Sequence, residues 1–578
     1  MTRRLGRAGV LAVAAALALT ACTAIPTAGP VNEGDGVVAT SDPFVPFAEG
    51  PRPGDGPTAI VNQFLTASGA GFASDFSVAR EYLTPATAES WDPTAQVIVF
   101  DSGALKPDFN EVAATVTYDV PVLATLDASG RMVEAADGMR QSLDFTVRKN
   151  EAGEWRISSL ADGTILAAAN FDRLFRPVSL IFASVDQTTQ VPEERWLPSN
   201  KAATLAAREL VQGPSPWLAN AVVTGFPAAS ALEVDSVIVT GGVAAVQLTP
   251  ESAGDSAQRA LAQEQMRLTL TAIPGITRVT LTAGGLSLGG DGSALLAREP
   301  LPGSDAAVFV DGRLGVWDGT DLWTVGKDVG GLPPNSTGLA QGYSTARSAW
   351  VVDGDTLVSS DANVGGPSGL VARNPDAAAP GNTMELATLY QGSALVSPSI
   401  DRHGWIWTAD SEGPGEIVAA SPGHDPVTLP VPWLAGSTVQ SLSVSRDGAR
   451  LAVLSRAGGK QVLEVAEVVR GADGVPLTIG DPAQVGADIG PSIDAAWVNE
   501  LTIAVLGEAG GEVPSPLWLV TVGGLTAPQT SVTAATGLSA RNGERSLVVV
   551  DAAGSLFTRS GTVWSQVEVG PTDLAYAG

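Results

Sequence analysis

At 578 residues the chain has room for three or four compact units, and with 44% hydrophobic against 16% charged residues every large part of it can build a core. Lys and Arg total 33 against 61 Asp and Glu, and a net charge of -28 repels phosphate backbones, which excludes nucleic acid as a partner. One cysteine, Cys22, and two histidines, His403 and His424, exclude an intramolecular disulfide and a Cys/His zinc site, so no metal or cofactor is expected.

Arg3, Arg4 and Arg7 precede an apolar run from Ala8 to Leu19, the pattern of a secretory signal over residues 1–21. The run is shorter than the ~20 residues needed to cross a bilayer. Leu19-Thr20-Ala21-Cys22 resembles a bacterial lipobox, which implies cleavage before Cys22 and lipidation of its thiol with diacylglycerol and palmitate. The expected location is the extracytoplasmic face of the cell membrane, with the acyl chains as anchor. Residues 22–57, with seven prolines from Pro26 to Pro57, read as a semi-rigid tether or a packed irregular arm.

Residues 58–175 read as an α+β domain. Ile60, Phe64 and Ala67 have helical spacing, and a second helix over Phe72 to Leu83 is expected to stop at Pro85. Strands follow at Val97–Phe100, Val112–Val122, Arg140–Arg148 and Trp155–Leu160. Helices on one face of a curved sheet are similar to the cone of nuclear-transport-factor-like domains, whose cavity can hold a ligand. Asp75, Glu81 and Asp92 read as caps and surface charges.

Residues 176–292 form a second α+β unit: a strand at Val178–Val185, a turn-rich link at Pro192–Pro198, and a helix at Ala202–Val211. A hairpin turns at Gly241-Gly242, a helix covers Asp255–Ala272, and a strand closes the unit at Thr277–Thr282. With Leu210-Val211-Gln212-Gly213-Pro214 at the helix end, this order resembles the GerMN domain. The resemblance implies partner binding and carries over no catalytic residue.

From residue 293 to 578 helical periodicity gives way to short β runs between turns such as Asp311-Gly312, Asp353-Gly354 and Asp447-Gly448. Strand cores recur about every 40 to 55 residues, at Val308, Trp350, Trp405, Leu451, Leu501 and Leu547, the period of propeller blades. About six blades are expected, with tryptophans packed between them. The whole is therefore multidomain: a cone-like α+β domain, a GerMN-like α+β domain and a C-terminal all-β propeller.

Asp401 beside His403, and His424 beside Asp425, are the residues a hydrolase would offer. Adjacent residues on a strand face opposite sides, as His424 and Asp425 would, and turn histidines are usually solvated, so neither pair is expected to act, and Ser445-Arg446-Asp447-Gly448 reads as a turn held by its aspartate. No catalytic residue is assigned and the chain is read as a non-enzyme. The lipobox followed by Ile25-Pro26-Thr27-Ala28-Gly29-Pro30-Val31, together with Val78 to Pro85, Ser90-Trp91-Asp92-Pro93, the GerMN-like middle and the propeller, resembles the LpqB family of actinobacterial lipoproteins. That resemblance implies an accessory protein that binds the extracellular domain of the sensor kinase MtrB and modulates MtrA/MtrB two-component signalling in cell-wall homeostasis and division. The alternatives are a binder of cell-wall glycan or muropeptides, with peptidoglycan as partner, and a secreted propeller hydrolase.

Overall fold

A computed structural model describes residues 48–101, 105–289, 296–324, 332–343, 347–362, 384–487, 489–509 and 514–578. Residues 48–56 run irregularly against the first domain: Ala48 packs on its core and the Tyr82 hydroxyl donates to the Glu49 carbonyl at 2.6 Å.

Helix α1 (Pro57–Gly71) opens on a proline, whose fixed φ suits a first turn, and buries Ile60, Val61, Phe64 and Ala67. Helix α2 (Ser77–Arg80) is a single turn, and α3 (Pro85–Ser90) begins at Pro85. The expected helix through Leu83 is thus not formed, and Pro85 starts a helix instead of stopping one. Its missing N–H is no loss at the first helical position, and the chain before it is held by a bridge from Leu83 to Ile157.

The helices cover a sheet ordered Trp155–Ser159, Arg140–Lys149, Thr115–Asp127, Gln96–Phe100, Thr164–Ala167. The long strand Thr115–Asp127 alternates strictly, burying Val116, Tyr118, Val120, Val122, Ala124 and Leu126. Its first half pairs with Arg140–Lys149 and its second with Gln96–Phe100, so one strand serves two half-sheets around one core. Val112, expected in this strand, is fully exposed in the turn before it. Asp75 accepts from the Ser77 amide at 3.0 Å and Asp92 from the Thr94 amide at 2.8 Å, the capping roles expected of them.

After α4 (Ala168–Leu174), Phe175–Ser184 pairs along its length with Gln190–Pro198. The link expected at Pro192–Pro198 is therefore a strand. It lies at the edge of a three-stranded sheet, where a proline can omit its N–H without breaking a ladder. Helix α5 (Ala202–Gln212) ends at Gly213, and α6 (Ser256–Thr271) begins with a capping box in which Asp255 and Gln258 exchange hydrogen bonds. Between them Ile238–Thr240 and Val243–Leu248 form the hairpin, with positive φ at both Gly241 and Gly242. α6 then crosses over so that Arg278–Ala283 runs parallel to Val243–Leu248.

Among the described residues the C-terminal part is a propeller of six sheets. Five take consecutive strands, starting at Ser336, Ser399, Thr438, Ser492 and Ala535. The sixth combines Ala306–Val310, Arg313–Trp317 and Leu322–Thr324 with the last strand, Pro571–Ala575, which closes the ring. Val308, Trp350, Leu451 and Leu547 all lie in the second strand from the axis of their blades, while Trp405 and Leu501 immediately precede that strand. Trp317, Trp350, Trp405, Trp407 and Trp497 are buried, as packing between blades requires.

Candidate functional site

Leu19, Thr20, Ala21 and Cys22 lie outside the described residues, so the lipobox reading stands on sequence. The side chains that sequence offered for chemistry are placed in blade turns. Asp401 is 2% exposed and accepts four hydrogen bonds. Oδ1 takes the amides of His403 and Trp405 at 2.9 and 3.0 Å; Oδ2 takes the Trp407 indole at 2.8 Å and the Arg470 guanidinium at 2.5 Å. A carboxylate filled by donors on both oxygens folds its own turn and has no lone pair aimed at a reactant. Burial, with Arg470 and Arg402 nearby, holds the His403 imidazole down to about 4, so it is neutral at neutral pH. His424 stands apart, its ring 5.5 Å from that of Trp405.

Asp447 repeats this logic in the next blade. It accepts the Ser445 hydroxyl at 2.5 Å and the Ala449 amide at 2.9 Å, and pairs with Arg450. Arg446 donates to the carbonyls of Val498, Trp497 and Ala540, joining three blades. Glu299, on the segment entering the propeller, is 3.5 Å from Arg446. Burial, helped by Asp447 and Glu500, pushes its carboxyl up to about 8 against the pull of Arg446 and Arg450. Nearer the axis, Asp573 accepts the Leu339 amide and Asp494 the Leu538 amide, each bridging two inner strands. Among the described residues no group of three His, Cys, Asp or Glu side chains could hold a metal ion.

The contacts that sequence reasoning missed join the domains. Arg402 forks onto Asp186 of the middle domain. Against the upward push of burial, the Ser184 hydroxyl and Arg402 hold that aspartate down to about 2. Glu467 of the propeller accepts the Asn220 amide and side chain at 2.8 and 2.7 Å and the Ala221 amide at 3.2 Å. Glu134 of the first domain accepts Ala487 and Thr526 of the propeller, and the Trp196 amide donates to Gly130 at 2.7 Å. All three folded parts are thereby braced against one another. The available signal was a charge placed inside an apolar strand, as in Glu467 within Val462–Val469.

Among the described residues, cavities open in the first domain and between the middle domain and the propeller. The last, about 20 Å³, is walled by Asp186, Arg402, His403 and Arg470 and belongs to the joint just described. In the first domain a small one of about 30 Å³ lies between α1 and the sheet, and a larger neighbour of about 170 Å³ shares Leu65 and Ile165 with it.

A cone-like domain, a GerMN-like domain and a propeller, tied by carboxylates at their joints and preceded by a lipobox-like segment, define a class of multidomain lipoprotein. Family models match three stretches: "Lipoprotein LpqB, N-terminal domain" at residues 50–172, "Sporulation and spore germination" at 179–289, and "Lipoprotein LpqB beta-propeller domain" at 377–574. Lipoprotein LpqB of Thermobifida fusca is 30% identical over 87% of both chains, and that of Cutibacterium acnes 29% identical over all of both. The chain belongs to the lipoprotein LpqB family, whose members are membrane-anchored lipoproteins. Among solved structures, TolB from Acinetobacter baumannii is similar at 14% identity and a TM-score of 0.34, over 48% of this chain and 68% of that one. Among the described residues no helix is long and apolar enough to cross a membrane.

Proposed function

We propose that acyl chains on Cys22 hold this protein on the outer face of the cell membrane. There it binds the extracellular domain of MtrB and so modulates MtrA/MtrB signalling in cell-wall homeostasis and division, turning over no substrate itself. The observation that carries this reading is the family match, which extends over most of the chain in the lipoproteins named above. The side chains support recognition over catalysis, because Asp401 and Asp447 spend their oxygens on their own turns. Anchoring two proteins to one membrane raises their effective concentration, so a weak contact suffices. It alters signalling only by preferring one conformation of the kinase.

The test is direct binding of the whole mature chain to immobilised MtrB ectodomain, with peptidoglycan as the parallel surface. Saturable capture by the ectodomain supports the reading. Retention by peptidoglycan with none on the ectodomain refutes it in favour of a wall-binding role.

A further inference from the structure

We propose that the cavity of about 170 Å³ in the first domain binds a compact uncharged hydrophobe, a ring or branched hydrocarbon of about six to eight carbons that carries one hydrogen-bonding group. It opens between the C-terminal half of α1 and α4, beside the end of the strand Gln96–Phe100. A core packed only for stability leaves few voids larger than a water molecule. An apolar cavity of ~150 Å³ is already large enough to take up benzene.

Short side chains make the room: Gly69 and Ala70 on α1 and Ala167 on the facing strand. Leu65, Phe100, Ile165 and Leu174 supply apolar walls around them. The gap is propped open from within. At Gly69 the helix already rests on Leu166, where a Cβ would stand 3.0 Å from the leucine Cδ2, so α1 has no freedom to settle closer to the strand and close the space.

The polar groups of the lining define the rest of the ligand. Among the described residues no charged side chain lines the cavity, so an ionic head would give up water without finding a counter-charge. The Thr66 hydroxyl is spent, donating to the Asn62 carbonyl at 3.2 Å. Asn170 on α4 is half-buried, and its side chain makes no hydrogen bond to another described residue. An amide both donates and accepts, which suits a single hydroxyl or carbonyl on an otherwise apolar molecule.

The experiment titrates the full mature chain, unacylated, with p-cresol, with toluene, which lacks the hydroxyl, and with p-toluate, which carries a carboxylate in its place. Heat of binding and melting temperature are read for each. Saturable p-cresol binding is expected, about fivefold tighter than toluene, the worth of one hydrogen bond, and at least fivefold tighter than p-toluate. Asn170→Ala should bring p-cresol down to the affinity of toluene and leave toluene unchanged. Ala70→Leu fills the cavity from α1 and should abolish binding of both, with the unliganded melting temperature equal or higher. The proposal is overturned if p-cresol does not saturate, if p-toluate binds as well, if Asn170→Ala keeps the wild-type gap between p-cresol and toluene, or if Ala70→Leu binds them as the wild type does.

Discussion

Nη2 of Arg402 lies 2.8 Å from each carboxylate oxygen of Asp186, and this fork fastens the middle domain to the propeller blade that starts at Ser399. The guanidinium also donates to the Asp447 carbonyl and the Thr188 hydroxyl, so a single side chain ties two blades to the domain before them. The joint is completed by Glu467 on Asn220 and Ala221, a residue that is 3% exposed.

Removing these two carboxylates should have unequal effects. Asp186 is partly exposed, and solvent screening limits Asp186→Asn to a loss of about 1 kcal/mol. Glu467→Ala strands three donors at a buried interface and should cost about 2 to 4 kcal/mol. Urea unfolding of the whole chain measures both. Because Asp186 ionises near 2 in the fold and near 3.8 without it, its contribution is complete above about pH 4 and disappears as pH falls through 2.

Asp401 and His403 separate a structural turn from a reactive pair. Asp401→Ala leaves Arg470 buried without its partner and should lose about 3 to 5 kcal/mol. His403 acts with the same sign as Asp186 but at higher pH: the fold holds it near 4 against 6.5 outside it, so its share of stability is full above pH 6.5 and is lost as pH falls toward 4. His403→Gln should therefore flatten the melting-temperature curve between pH 6.5 and 4 while changing little at pH 8. Calorimetry across that range checks both substitutions.

Glu299 predicts a loss of stability on the alkaline side. Its carboxyl titrates near 8 in the fold and near 4.5 without it, so the folded state holds a proton the unfolded chain has released. The associated stability is present below about pH 4.5 and is lost as pH rises through 8. Glu299→Gln should melt at a higher temperature than the wild type at pH 8.5, and the difference should vanish near pH 4.5. Asp573, pushed up to about 6 chiefly by burial, adds a smaller effect of the same sign at lower pH.

Local pattern carried the architecture and failed where position in a sheet decides. The six blade markers lie in or beside equivalent strands because each blade repeats one hydrophobic rhythm. Pro192 and Pro198 misled because a proline reads as a breaker until its strand is known to be an edge, and Pro85 because a first-turn proline and a helix stop look alike in sequence. The clamps Asp186–Arg402 and Asn220–Glu467 join residues more than 200 positions apart, which no local spacing encodes. The turn role of Asp447 was legible, since an aspartate ahead of a glycine in a hairpin carries its own geometry, whereas Asp401, read as a strand neighbour of His403, also folds a turn.

Contact with the sensor kinase is tested most directly by reconstituting full-length MtrB in liposomes and measuring its autophosphorylation with and without the acylated chain in the same membrane. A change in rate that disappears when Cys22→Ala leaves the protein unanchored is the predicted result. Identical rates with the anchored wild type present and absent would contradict it.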